Sequence, residues 1–184
     1  MAGQKDPSGG VALGVRLAVT GSLFTAAGFR TVDSVLRELI LSANREVLVA
    51  AYFLSPAALE FLRLLEGALA RGVAVTVVVS SMRSQPKGVR KYLEELRGRY
   101  PHARILEFRD PLGGRLHAKA VVVDRNRALV GSANFTWGGL VANYEICVLL
   151  EGPQAAEVAR LLDAIISACS GSDGPRSPDS CGRL

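Results

Sequence analysis

The chain of 184 residues predicts an α/β sandwich: a mixed, mostly parallel sheet with helices on both faces. Three observations carry the prediction. The runs Glu46 to Leu54 and Val73 to Val79 are apolar without alternation, as strands covered on both faces are. Segments of helical period separate such runs, in the order of βαβ units. A hydrophobic fraction of 49% and a mean hydropathy of +0.24 sit at the apolar end of the soluble range. The length suits one domain with a sizeable core and is too short for two ordinary ones.

In chain order, residues 1–10 are polar, with one Pro and three Gly, and are expected to be disordered. A single domain is expected over residues 11–169, followed by a disordered tail over residues 170–184, rich in Ser, Gly and Pro. Val11 to Phe29 is long enough for a membrane span, but Arg16, Thr20, Gly21, Ser22 and Thr25 interrupt it and no strongly basic leader precedes it. It reads as a strand or turn at the start of the domain, and no membrane partner is expected.

Thr31 is a candidate N-cap for a helix whose inner face is Val32, Val35, Leu36, Leu39 and Ile40. Strand Glu46 to Leu54 ends at Ser55-Pro56, a cap and first turn for a helix with Leu59, Leu62 and Leu65 inward and Gly72 closing it. After strand Val73 to Val79, Pro86 opens a helix with Val89, Tyr92, Leu93 and Leu96 inward. Arg104 to Phe108 is a third short strand. A strand from His117 to Val123, a turn at Asp124-Arg125-Asn126 and a strand from Arg127 to Gly131 follow. Tyr144 to Leu150 is the last strand, and Pro153 begins a helix with Val158, Leu161, Leu162, Ile165 and Ile166 inward.

Net charge is +5, unevenly placed: residues 81–127 hold twelve Lys or Arg against five Asp or Glu, a net +7. That concentration favours a polyanionic substrate, the bland alternative being a solvated basic face. Cys147, Cys169 and Cys181 are odd in number and widely spaced, which suggests neither a disulfide framework nor a zinc site and fits a reducing, cytoplasmic compartment. The two histidines are His102, read as a surface residue beside Tyr100-Pro101, and His117. No metal or cofactor is implied.

The chemistry concentrates in Leu116 to Asn134. Strand parity puts His117 and Lys119 on one face, whereas Asp124 has the opposite parity and reads as a turn or supporting residue. Gly131, Ser132 and Asn134 end the following strand in a corner of small side chains and backbone N–H groups suited to an anion. An imidazole, an ammonium and neutral donors in one pocket are what a phosphodiester needs. Arg109 and Arg115, in a glycine-containing loop leading into the motif, are candidate substrate contacts. Trp137, beside the corner, either stacks on a base or packs under the motif.

His-x-Lys, Asp five residues on, then Gly-Ser-x-Asn resembles the HKD motif of the phospholipase D superfamily, here in its short single-motif, nuclease-like form. The resemblance implies the phospholipase D-like sandwich and a metal-independent reaction. One motif His attacks phosphorus, a second protonates the leaving oxygen, and a carboxylate, matched by Glu145 in Asn143-Tyr144-Glu145, orients an imidazole. Because this motif occurs once, the resemblance implies a homodimer sharing one site. Asn134 to Glu145 is also similar to the phospholipase D-like component of bacterial DISARM anti-phage systems, which implies a larger defence complex as partner. The expected function is a nuclease cutting DNA or RNA, with catalytic residues His117, Lys119, Asp124, Ser132, Asn134 and Glu145, and with Arg109, Arg115, Gly131 and Trp137 binding substrate. The competing readings are a lipid phospholipase D or phosphatidyltransferase, and an inactive nucleic-acid-binding subunit.

Overall fold

The computed structural model describes residues 14–110 and 112–170; the N-terminal ten residues and nearly all of the expected tail lie outside the described residues. Seven strands form one sheet: β1 (Val15–Thr20), β2 (Glu46–Ala51), β3 (Ala74–Val79), β4 (Ala103–Glu107), β5 (Ala120–Val123), β6 (Arg127–Gly131) and β7 (Glu145–Glu151). Their order across the sheet is β1-β7-β6-β5-β2-β3-β4. The sheet is mixed, as expected, but its balance is not mostly parallel. Among the described residues only β2 with β3 and β3 with β4 pair in parallel, and the other four pairs are antiparallel. The buried runs of β2 and β3 signal helical crossovers, whereas β5 and β6 are joined by a three-residue turn that only an antiparallel pair can use.

Helices α1 (Ser22–Ala26), α2 (Val32–Leu41), α3 (Leu59–Ala70), α4 (Lys87–Arg99) and α5 (Pro153–Ser170) complete the fold. The cap prediction at α2 holds, since Thr31 Oγ1 accepts the Ser34 N–H at 3.1 Å and five apolar residues at helical spacing are buried. Pro56 starts a short 3-10 turn that runs into α3. Gly72, at φ 86°, supplies the left-handed residue that ends α3.

Alternation along the strands divides the core. Val47, Val49, Val75, Val77, Val121 and Leu129 pack with α2, α3 and α4 on one face. Leu48, Ala50, Val78, Val122 and Ala128 meet Ala155, Ala159, Leu162 and Ile166 of α5 on the other. Leu161 is not inward: it is 67% exposed, because the buried stripe of α5 runs through the small residues Ala155 and Ala159 and leaves Leu161 about 100° away. The segment read as strand or turn at the start of the domain is β1 and α1, and among the described residues no helix is long and apolar enough to cross a membrane.

The register brings Ala51, Val79, Glu107, Ala120, Gly131, Glu145 and Thr20 to the same end of the sheet. That end collects the carboxyl ends of the parallel strands, where α/β sheets present their ligand-binding loops.

Candidate active site

Lys119 and His117 lie just before β5 rather than within the expected strand, which begins at Ala120. The ladder continues by one bond, Gly131 N–H to Lys119 O at 3.2 Å, after which β2 turns away at Tyr52 and offers no partner. The shared parity survives this fraying. Lys119 Nζ sits 3.0 Å from His117 Nδ1 and donates to the His117 carbonyl at 2.7 Å. The imidazole is exposed; Lys119 is only 8% exposed.

Burial pushes the Lys119 pKa below that of an ordinary lysine, and the nearby Glu145 carboxylate opposes the shift. An apolar cavity bordered by Val32, Leu36, Val121, Leu129 and Cys147 adjoins Lys119. The ammonium is therefore a poorly solvated cation, and an anion brought to it gains more than it would at a surface lysine.

Gly131 is required by packing. A Cβ there would lie 2.5 Å from Cys147 Cα and 2.6 Å from Ile146 O, so the missing side chain is what allows β6 to meet β7 at this corner. Ser132 N–H donates to Ile146 O at 3.2 Å, Ile146 N–H donates to Ser132 Oγ at 3.2 Å, and Ser132 Oγ donates to the Glu145 carboxylate. Asn143 Nδ2 donates to the other Glu145 oxygen at 3.2 Å. Glu145 is thus tied to Ser132 and Asn143, while the His117 imidazole lies against Lys119. The expected Glu145–imidazole pair is not the contact made here.

Asn134 Oδ1 is buried without a hydrogen-bond partner, and so is Ser55 Oγ. A buried polar atom left unpaired costs about 1–3 kcal/mol, so these two oxygens have hydrogen-bonding capacity that no protein group meets. Trp137 does not pack under the motif. It is 61% exposed, and Phe135 fills the core position instead, stacked on Phe61 at 4.5 Å.

Arg109 and Arg115 are exposed on the loop between β4 and the motif, with Arg109 3.5 Å from Glu107. Asp110 orders this loop through hydrogen bonds from the N–H groups of Leu112 and Gly114. Asp124 is elsewhere: its carboxylate accepts the N–H groups of Asn44, Arg45 and Glu46 at 2.8–3.0 Å, at the far end of the hairpin. Arg125 belongs there as well, paired with Glu46 and Asp163. Arg125 thus lies at the opposite end of the sheet from Arg109 and Arg115, so the basic stretch 81–127 is not one substrate face.

His102 is not a simple surface residue. It is half-buried, with its Nε2 3.0 Å from Leu69 O. Two residues that the sequence reading passed over belong to the site. Tyr52 places its ring 4.5 Å from the His117 ring and 5.5 Å from Lys119 Nζ. Gln85, almost fully buried, bonds the Tyr52 segment. The available signal was an aromatic ending a buried strand, too common a feature to single out. Among the described residues, no group of three or more His, Cys, Asp or Glu is placed to hold a metal ion.

Residues 36–167 match the family model described as the PLD-like domain of cardiolipin synthase. The DISARM protein DrmC of Bacillus paralicheniformis is 34% identical over 137 residues, which are 72% of this chain and 55% of DrmC. The chain thus spans about half the length of that curated relative. Solved structures share the fold. NucT from Helicobacter pylori has a TM-score of 0.68 at 17% identity, covering 84% of this chain and 98% of that one. The phospholipase D family member Nuc from Salmonella typhimurium has 0.67 at 18%, covering 84% and 94%. Phosphatidylserine synthase from Haemophilus influenzae has 0.66 at 18%, covering 84% and 39%. With the His-Lys pair, the Gly-Ser-x-Asn corner and Glu145 gathered at one end of this sheet, and the family model matched over most of its length, the chain belongs to the phospholipase D superfamily.

Proposed function

We propose that this chain is a phosphodiesterase that cuts nucleic acid, a nuclease whose site is shared across a homodimer and which serves in anti-phage defence, as the similarity to DrmC suggests. The observation that carries the reading is the exposed imidazole of His117 set against the poorly solvated Lys119 ammonium, beside the Ser132, Asn134 and Glu145 corner and the Arg109 to Arg115 loop.

His117 of one protomer attacks phosphorus, and the P–O bond to the leaving oxygen breaks as His117 of the other protomer gives that oxygen a proton. Water then cleaves the phosphohistidine. Lys119, Ser132 and Asn134 hold the non-bridging oxygens, where charge accumulates in the transition state. The Lys119 ammonium, 3.0 Å from Nδ1 and 3.5 Å from Nε2 of His117, stands against the ring where a phosphate oxygen can take it over.

The test is cleavage of plasmid, single-stranded DNA, RNA and phosphatidylcholine in EDTA. We expect cleavage of nucleic acid that survives chelation; complete loss restored by Mg²⁺ or Mn²⁺ would remove the mechanism. A mixed dimer with one His117→Ala protomer should cleave DNA or RNA poorly, yet recover part of its rate on a p-nitrophenyl phosphodiester, whose leaving group needs little protonation. A monomer that is fully active sinks the shared site. A lipid substrate is the second reading, favoured by exposed Leu23, Trp137, Val141 and Tyr144 on the segments flanking Glu145; turnover of phosphatidylcholine with intact nucleic acid would establish it. Salt-dependent binding of nucleic acid without any turnover would instead indicate an inactive binding subunit.

A further inference from the structure

We infer that Tyr52 is the positioning residue of this site, its ring being the surface that aligns both the His117 imidazole and the Lys119 ammonium, and that Gln85 holds Tyr52 in place. The inference rests on His117 being the reacting group.

His117 lies beyond the sheet ladder, so strand hydrogen bonds do not fix its ring. The Tyr52 ring lies 4.5 Å away between centroids, tilted by 52°, and limits the rotation of the imidazole about its side-chain bonds. The same ring lies 5.5 Å from Lys119 Nζ, where its π face partly replaces the water that burial removes from the cation. One ring therefore sets the separation of nucleophile and charge clamp.

Tyr52 is itself past the end of β2 and needs an anchor. Gln85, 2% exposed, supplies it. Its Nε2 donates to Tyr52 O at 3.3 Å and to Ser81 O at 2.9 Å, and its Oε1 accepts the Leu54 N–H at 2.9 Å. Two carbonyls on one side of the amide and an N–H on the other fix its orientation. The loop after β2 is thus tied to the loop after β3, and its next residues to the motif corner, since Ser55 N–H donates to Phe135 O at 3.1 Å. None of these bonds uses the Tyr52 hydroxyl, so the ring is the part that should matter.

The experiment compares Tyr52→Phe, Tyr52→Leu and Gln85→Met with wild type. Steady-state cleavage of a p-nitrophenyl phosphodiester is measured, together with the NMR resonances of the His117 ring protons, for which His102 is the reference. We expect Tyr52→Phe to match wild type. Tyr52→Leu should lower kcat about 100-fold with KM nearly unchanged, the scale of a reacting group displaced by about 1 Å. Its His117 resonances should lose their ring-current displacement while those of His102 stay. Gln85→Met should move both readouts the same way by less. If Tyr52→Leu keeps wild-type kcat and His117 shifts, or if Tyr52→Phe loses as much as Tyr52→Leu, the inference is overturned. Should wild type cleave no phosphodiester, the nuclease reading falls, and the NMR comparison alone decides Tyr52: unmoved His117 resonances in Tyr52→Leu overturn it, and displaced ones uphold the alignment.

Discussion

One motif on one hairpin builds two polar regions of opposite character. At one end His117 is exposed, Lys119 is buried with a lowered pKa, and Asn134 Oδ1 lacks a partner. At the other, roughly 23 Å along an extended chain, Asp124 accepts three backbone N–H groups while Arg125 pairs with both Glu46 and Asp163. The turn end is saturated, although Asp124 and Arg125 both adopt positive φ, of 52° and 57°, which non-glycine residues adopt at a cost. At the site end Asn134 Oδ1 and Ser55 Oγ have no protein partner. Where bonds are complete, the residue types are explained by folding.

The largest expected contrast is between His117→Ala and Asp124→Ala. His117→Ala should fold with wild-type stability, because the side chain is exposed, and should lose activity by roughly 10²–10⁴-fold, the range for removing a catalytic proton-transfer group. Asp124→Ala should retain specific activity while folded but unfold more easily by about 1–3 kcal/mol, since three backbone donors lose their acceptor. Urea denaturation and a phosphodiesterase assay on both variants check this. Equal stability losses in the two would erase the distinction between the ends.

How far the sequence disclosed this division depends on what each residue answers to. The motif spacing gathered the residues of the candidate site, and strand parity set Asp124 apart from His117. Arg125 misled, since twelve cations counted along a chain say nothing about which of them meet a carboxylate from Glu46 or Asp163, both distant in sequence. Tyr52 and Gln85 escaped notice because they enter the site from loops after other strands, through contacts made only once the sheet is assembled. Leu161 and His102 misled in a milder way. The width of the stripe that α5 buries, and the Leu69 carbonyl facing the His102 ring, are tertiary facts with no local signature.

A smaller effect separates the ends by pH. Burial pushes the Asp124 carboxyl up, but the N–H donors of Glu46, Asn44 and Arg45, with the Arg45 charge, outweigh it and hold its pKa below the ordinary carboxylate value. A depressed folded-state pKa gives stability that is present above the unfolded value and lost as pH falls through the folded one. The wild-type advantage over Asp124→Asn should therefore be constant near neutral pH and shrink in acid. Melting temperatures of both proteins across that range test it, and an advantage that grows in acid would contradict the assignment.

The smallest effect concerns which arginines would meet nucleic acid under the proposed nuclease reading. Arg115 is exposed on the loop entering the motif, whereas Arg125 sits at the saturated end with two carboxylates in place. A phosphate contact releases about one counterion, so removing one lowers the slope of log affinity against log salt by about one. Arg115→Ala should show that change with little loss of stability. Arg125→Ala should leave the slope alone, because its charge is already neutralised locally, and should weaken folding instead through the loss of its pairs with Glu46 and Asp163. Fluorescence anisotropy with a labelled oligonucleotide over a salt series measures both slopes. If the Arg125 variant flattens the slope as much as the Arg115 variant does, nucleic acid reaches the turn end, and the split between a structural end and a substrate end of this hairpin fails.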